Sequence, residues 1–329
     1  MNTITYTEKD LQLLSKITTN KTMELIIFPT ESCNFRCTYC YENFKQGKMK
    51  KSTVTAIKKL IKRRAPQLDL LYIQWFGGEP LLASDIILEI SEYIKELCKQ
   101  YSFVYRSSIT TNGYLLNEQL LRKLASLQVT NYQISLDGPR EIHNMTRITA
   151  RKEGTFDEIW HNLLQLKNSD IQANVLLRLH FKQSNVDHMR ELILLVREQL
   201  IEDSRFSVFF KGIAKLGGAN DETLDIIPKD EQSNLINEFY ELLYGENYKA
   251  PALENPFVCY AAKPNSFLIR ANGDLAKCTV ALYDSRNKIG YLDDEGHVIV
   301  DSDKLNPGLR GVSTLDSASL ACPLKNLTK

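Results

Sequence analysis
The stretch ELIIFPTESCNFRCTYC, residues 24–40, runs from a short apolar segment straight into three cysteines, Cys33, Cys37 and Cys40. Residues 24–28 read as a buried β-strand, being short and apolar. In parallel α/β folds the chemistry sits in the loops at the carboxyl ends of strands, which is where these thiols fall. Thiolates are soft ligands that suit zinc or iron–sulfur clusters. A cubane cluster has four irons, each wanting an outside ligand, so three cysteines satisfy three and leave one open for chemistry. A zinc site completed by a remote residue is the competing reading.

Outward from this loop, short apolar runs alternate with amphipathic stretches. Residues 52–64 carry Val54, Ile57 and Ile61 at helical spacing, and 70–76 form a second strand. A helix over 84–100, with Ser84 as its N-cap, precedes a strand over 103–110 and a helix over 117–127 that Asn117 caps. Strands at 131–136, 172–181 and 205–211 alternate with helices at 155–167 and 185–200, and a last helix spans about 229–244. Such alternation predicts parallel strands joined by right-handed crossovers. Two architectures satisfy it, an open doubly wound sheet and a barrel, and periodicity does not choose between them. Past residue 250 the pattern changes: 266–282 and 287–300 read as hairpins, the first turning at Asn272–Gly273–Asp274. A boundary is expected near residue 250, followed by a small β-rich domain.

The chain has 329 residues, 43% apolar and 25% charged, ordinary for a globular protein with a large core or two domains. Its 41 basic and 40 acidic residues leave a net charge of +1, which argues against nucleic acid or another strongly charged partner. The opening MNTITYTEKD has no apolar core or cleavage pattern, and no run approaches ~18 apolar residues, so neither a secretory signal nor a membrane span is expected. Seven cysteines, odd in number and clustered, fit metal ligation in a reducing cytoplasm better than a disulfide framework.

CNFRCTYC (33–40) resembles the C-x3-C-x2-C signature of the radical S-adenosylmethionine (SAM) superfamily, with Tyr39 as the aromatic before the third cysteine. WFGGEP (75–80) resembles that family's Gly-Gly-Glu-Pro element, which binds the methionine amine, and Gly77 and Gly78 permit close backbone approach. TTNG (110–113) and SLDG (135–138) match further positions where the family handles its cofactor. The resemblance implies SAM chelating the open iron of a [4Fe–4S] cluster on Cys33, Cys37 and Cys40. It implies cofactor contacts from Tyr39, Gly77, Gly78, Glu79, Asn112, Ser135, Asp137, Arg147 and Arg178. A solvated loop acid is the plainer reading of Glu79, and ordinary salt bridges that of the two arginines. The resemblance also implies a partial (β/α)6 TIM-like barrel, which decides the fold class as α/β. The expected layout is an N-terminal extension (1–21), the barrel (22–215), a bridging helix and linker (216–255) and an auxiliary-cluster domain (256–329).

Cys259, Gly273 and Cys278 form C-x13-G-x4-C, similar to the start of the auxiliary-cluster domain of the SPASM/twitch branch, and Cys322 lies 44 residues further on. A full SPASM domain carries a further run of cysteines for a third cluster, and none follows Cys322. The shorter twitch form is therefore expected, with one auxiliary [4Fe–4S] cluster on Cys259, Cys278 and Cys322 whose fourth iron is open or held by a non-cysteine ligand. A structural zinc using His297 competes. Cys98 shares an apolar helix face with Ile87, Ile90, Ile94 and Leu97 and is read as a core residue.

Resemblance to the peptide maturases of this branch (RiPP maturases) runs from about residue 22 to 329 and implies an oxidoreductase. A one-electron donor such as flavodoxin or ferredoxin reduces the cluster, SAM yields methionine and a 5′-deoxyadenosyl radical, and the radical takes hydrogen from substrate. The favoured substrate is a small precursor peptide, cross-linked through a C–C or thioether bond. Small-molecule dehydrogenation is an alternative. Sulfatase maturation is another, disfavoured because Thr279 stands where those enzymes carry an aspartate. Peptide epimerisation needs a spare cysteine near the radical, and only Cys98 is left over. A non-enzymatic iron–sulfur regulator would have no use for the element at 77–80. Finally, nine basic residues and no acid fall between Lys45 and Arg64, either a solvated face or a surface for an acidic leader, a reductant or RNA.

Overall fold
The computed structural model describes residues 5–246, 248 and 257–324. It opens with α1 (Glu8–Thr18), closed by a capping box in which Thr7 and Asp10 each accept from the other's backbone. The strand–helix units follow: β1 (Thr22–Thr30), α2 (Lys51–Arg64), β2 (Leu70–Gly77), α3 (Ser84–Gln100), β3 (Val104–Thr111), α4 (Glu118–Ser126) and β4 (Val129–Leu136). Then come α5 (Arg140–Thr146), α6 (Phe156–Lys167), β5 (Asn174–Phe181), α7 (Met189–Gln199), β6 (Phe206–Gly212) and α8 (Lys229–Tyr244). Strands β1 to β6 pair in parallel, each with the next, so every strand ends at the same rim. The outward faces of the strands pack under the helices: Leu71, Ile73 and Trp75 of β2 are fully buried in one core with Ile57 and Ile61 of α2 and Ile87, Ile90 and Ile94 of α3. Each such side chain contributes about 1.5–3 kcal/mol by leaving water. Cys98 is half-buried against that core, as its helix position implied.

Strand β1 is buried almost end to end, because β2 flanks one edge and β7 (Ser266–Ile269) pairs in parallel along the other. From β7 the chain continues as an antiparallel meander, β8 (Asp274–Ala276), β9 (Lys288–Leu292) and β10 (Val298–Val300). The result is one sheet in the order β10-β9-β8-β7-β1-β2-β3-β4-β5-β6. The two expected hairpins therefore extend the barrel's sheet instead of forming a separate one. The expected boundary near residue 250 lies outside the described residues.

Other expectations are corrected in detail. Ser84 is the first helical residue of α3 and not its cap; Ala83 precedes it, at the end of a 3-10 turn over Pro80–Ala83. Asn117 does cap α4, its side chain accepting from Leu120 N at 2.9 Å. Helix α5 was not foreseen, being too short to show a period. The β-rich tail also carries α9 (Ser302–Thr314) and α10 (Ser317–Ala321). Pro307 and Gly308 in α9 oppose a helix locally, while at Gly311 an added Cβ would come within 3.0 Å of Ser319 and Leu320, so only a bare position lets α10 approach this closely.

Five of the nine basic residues in the 45–64 run are engaged inside the molecule. Lys48 and Lys58 pair with Asp85 and Glu89 of α3 at 2.6 Å each, and Arg64 donates to Asn20 O. Lys59 pairs with Glu295 at 2.9 Å, and Arg63 donates to the carbonyls of Glu295 and Gly296. The run is largely the seam that holds α3 and the β9–β10 turn against α2. No described helix is long and apolar enough to cross a membrane.

Candidate active site
At the carboxyl rim of the strands lies a cavity of about 390 Å³ whose wall includes Cys33, Cys37 and Cys40. Two supports shape the cysteine loop. On one side it runs antiparallel to residues 146–150: Arg36 N donates to Ile148 O at 2.8 Å, Thr38 N to Thr146 O at 3.0 Å, and Ala150 N to Asn34 O at 2.8 Å. On the other side the end of β2 presses against it. Glu79 N donates to Ser32 O at 2.9 Å, and a Cβ on Gly77 or Gly78 would collide with the carbonyl oxygen of Thr30 or Ser32. Gly77 also has φ +116°, a conformation open to glycine alone at little cost.

Glu79 is fully buried behind this wall. Its Oε1 accepts from Leu81 N (2.9 Å) and Thr111 Oγ1 (2.7 Å), and its Oε2 from Asn112 N (2.7 Å). Burial raises its carboxyl and these bonds offset part of the rise. The carboxylate thus staples the end of β2 to the end of β3. Asn112 is fixed in turn, donating to Asn34 Oδ1 at 2.8 Å within the cysteine loop.

A second buried network ties the loop to β4 and β5. The Tyr39 hydroxyl donates to Asp137 Oδ1 at 2.9 Å, accepts from Arg147 Nη1 at 2.7 Å and lies 3.1 Å from His180 Nδ1. Thr146 Oγ1 donates to Asp137 Oδ2 at 2.7 Å, and Asn185 Nδ2 donates to Asp137 O at 2.7 Å. Burial alone would raise Asp137, but the His180 hydrogen bond and the Arg147 charge hold it well below the usual carboxylate range. Burial pushes His180 down to about 4 and His143 down to about 3, so both are neutral. Glu79 and Asp137, expected as cofactor contacts, accept from protein donors and are not among the residues that line the cavity. Tyr39, Gly77, Gly78, Asn112, Ser135, Arg147 and Arg178 do line the cavity.

Residues 27–196, just over half of the chain, match the family profile of the radical SAM superfamily. The chain belongs to that superfamily. Radical SAM enzymes use SAM and a [4Fe–4S] cluster, and this chain is an enzyme of that kind. It is 26% identical over 310 residues to the cysteine-type anaerobic sulfatase-maturating enzyme of Clostridium novyi (strain NT), covering 84% of this chain and 78% of that protein. It is 28% identical over 216 residues to GTP 3′,8-cyclase of Clostridium perfringens (strain 13 / Type A), covering 62% of this chain and 61% of that one. Its fold matches anSMEcpe with bound AdoMet at a TM-score of 0.64, with 19% identity and coverage of 86% and 76% of the two chains. It also matches Streptococcus suis SuiB bound to precursor peptide SuiA at 0.65, with 17% identity and coverage of 92% and 70%.

The radical SAM cavity fits its cofactors on three observations. Its three thiols share one wall, while among the described residues no three His, Cys, Asp or Glu side chains are arranged to hold a single metal ion. Burial pushes all three thiols up, that of Cys40 to about 12, so a metal must displace their protons. Three orphaned polar atoms, Glu42 Oε2, Arg147 Nε and Arg178 Nε, belong to residues of this wall.

Among the wall residues that sequence reasoning missed are Glu42, His180 and Lys211. Register exposes the last two: His180 on β5 pairs with Lys211 on β6, so both face the lumen with Arg178 and Phe209, the pair two residues back. Burial, with Glu31 nearby, raises Glu42 to about 8. The second cysteine group also gathers. Cys259 N donates to Leu320 O at 2.9 Å, linking it to α10 and hence to Cys322. Burial raises the Cys259 thiol, and Cys278 and Cys322 are close enough to raise it further. Asn287 Oδ1 fixes Cys278 by accepting from its N at 2.8 Å. His297, the rival zinc ligand, sits instead in the exposed β9–β10 turn with Nδ1 2.9 Å from Asp293 Oδ2.

Proposed function
We propose that this radical SAM enzyme cross-links side chains of a small precursor peptide through a C–C or thioether bond. The observation that carries the reading is the cavity's make-up. Beside the thiols, the glycine pair and the cations Arg147, Arg178 and Lys211, the wall carries an apolar group, Phe44, Phe76, Leu216 and Val280, with Leu216 and Val280 exposed at the surface. A relative that matures sulfatases and a fold neighbour bound to a precursor peptide support a peptide substrate over a small molecule.

In this reading Cys33, Cys37 and Cys40 hold the cluster, and the Gly77–Gly78 backbone, Asn112, Ser135, Arg147 and Arg178 hold SAM. When bound, these groups supply an electron and a 5′-deoxyadenosyl radical that removes a hydrogen atom from substrate. The apolar wall keeps water from the reacting carbon, and the Tyr39–Asp137–Arg147 network keeps the thiols in place. Cys259, Cys278 and Cys322 hold one auxiliary [4Fe–4S] cluster in a domain spanning 256–329, beside a barrel spanning 22–215. Flavodoxin or ferredoxin is the proposed reductant, and free thiols suit a reducing cytoplasm. Sulfatase maturation is the weaker reading, because neutral Thr279 follows Cys278 and its hydroxyl is bonded to the Tyr260 hydroxyl at 2.8 Å.

Anaerobically reconstituted protein given SAM and dithionite is expected to form 5′-deoxyadenosine, and a co-expressed candidate peptide to lose about 2 Da. An unchanged peptide mass alongside 5′-deoxyadenosine refutes cross-linking of that peptide. No 5′-deoxyadenosine from protein with intact clusters would favour a regulator. Iron analysis should give about eight irons per chain, and about four in Cys278→Ala.

A further inference from the structure
Two cations on the cavity wall have no partner among the described residues. The side chain of Arg178 on β5 makes no hydrogen bond or ion pair among the described residues, and its Nε is buried. Lys211 of β6 likewise has none, although it lines the same cavity. The strand register sets the two on one face, Lys211 nearer the rim and on the last strand of the sheet. Burial lowers Lys211, and the charge of Arg178 reaches it and lowers it further. The third cation of the wall, Arg147, is already balanced by Asp137 through their shared Tyr39 hydroxyl. Two adjacent unpaired cations repel each other and call for anions.

SAM brings a single carboxylate, and a guanidinium fork such as that of Arg178 suits it best. That leaves Lys211, exposed on the last strand of the sheet, with an unused ammonium. We propose that Lys211 is a subsite for a carboxylate of the substrate, so that the peptide presents an acidic side chain or its C-terminus beside the residue that reacts. The inference rests on the radical SAM reading of the cavity, since SAM's carboxylate enters the count.

The test uses full-length, cluster-reconstituted protein loaded with SAM. It is incubated with an equimolar library of N-acetylated hexapeptides, half as C-terminal amides and half as free acids, and retained peptides are read by mass spectrometry. The protein is expected to retain Asp- or Glu-containing amides, or the free acids, roughly fivefold over matched Asn, Gln or amidated peptides. Lys211→Gln should abolish that preference, and Lys211→Glu should shift retention toward Lys and Arg peptides. Equal retention by the unmodified protein, or a preference that survives Lys211→Gln, overturns the proposal. So does a loss of SAM affinity of about tenfold in Lys211→Gln with peptide selection intact, which assigns the ammonium to the cofactor. Formation of 5′-deoxyadenosine once dithionite is added to the same sample separates the two readings: formed without acid preference, only the subsite falls; not formed, the radical reading falls too.

Discussion

At the scale of single residues, Gly78 carries the clearest prediction. A methyl group there meets the Ser32 carbonyl, which is backbone and has little room to move. Gly78→Ala should cost about 2 kcal/mol or more, seen as a lower Tm, and should reduce iron uptake because the displaced strand end leads into Cys33. The glycine pair was legible in sequence as a place of close approach. The neighbour it makes room for was not, because no local pattern says that β2 ends against the loop after β1. The Tyr39 hydroxyl gives a second, graded test. Tyr39→Phe removes one hydroxyl from a buried network and should cost about 1 kcal/mol, whereas Asp137→Ala strands the Arg147 guanidinium and should cost about 3–5 kcal/mol. Urea titration of the metal-free protein compares the two, and equal losses would refute the graded picture. Asp137 was expected as a cofactor contact because SLDG resembles a cofactor-handling element of the family, and its hydrogen bonds to Tyr39 and Thr146 become visible only when those residues are placed around it.

Between elements, α5 is held to β4 by His143, whose Nε2 lies 3.1 Å from Thr155 Oγ1 and whose Nδ1 accepts from Asp137 N at 3.3 Å. In the folded chain His143 and His180 bind protons only near pH 3 and 4, against about 6.5 when unfolded. Between those values the unfolded state holds more protons. Stability is therefore full above pH 6.5 and is lost as pH falls toward 4, each histidine adding up to about 1.4 kcal/mol per pH unit to the slope. Thermal melts of the metal-free protein from pH 7.5 to 5 should show this, and His143→Asn should flatten the profile; an unchanged slope would count against it. The six parallel strands were readable because each is a short apolar run between amphipathic helices. Helix α9 was not, since Pro307 and its glycines oppose helix locally and tertiary packing overrides them. Nor did periodicity tell barrel from open sheet; the cysteine motif did.

For the molecule as a whole, the meander and the barrel are locked at the seam between α2 and the β9–β10 turn. Arg63 donates to two carbonyls of that turn, at 2.8 Å to Gly296 and 2.6 Å to Glu295, whereas Lys59 makes one exposed ion pair. Arg63→Ala should cost about 1–3 kcal/mol and Lys59→Ala less than about 1 kcal/mol, measured by denaturant unfolding, with the Lys59 effect fading in high salt. A basic stretch that read as a solvated face or a docking surface is thereby mostly an internal fastening, which charge counting along the sequence could not reveal because the acids opposite lie in α3 and the turn.

The strand β7 has one more effect. By lying along β1 it takes the edge that β6 would need to complete a ring, so the staves form a horseshoe instead of a closed ring. Among the described residues no strand bridges that side, so a bound guest would help to fill it. Bulky guests that fill that side should therefore be processed cleanly, while undersized ones leave a draught through which the radical is wasted.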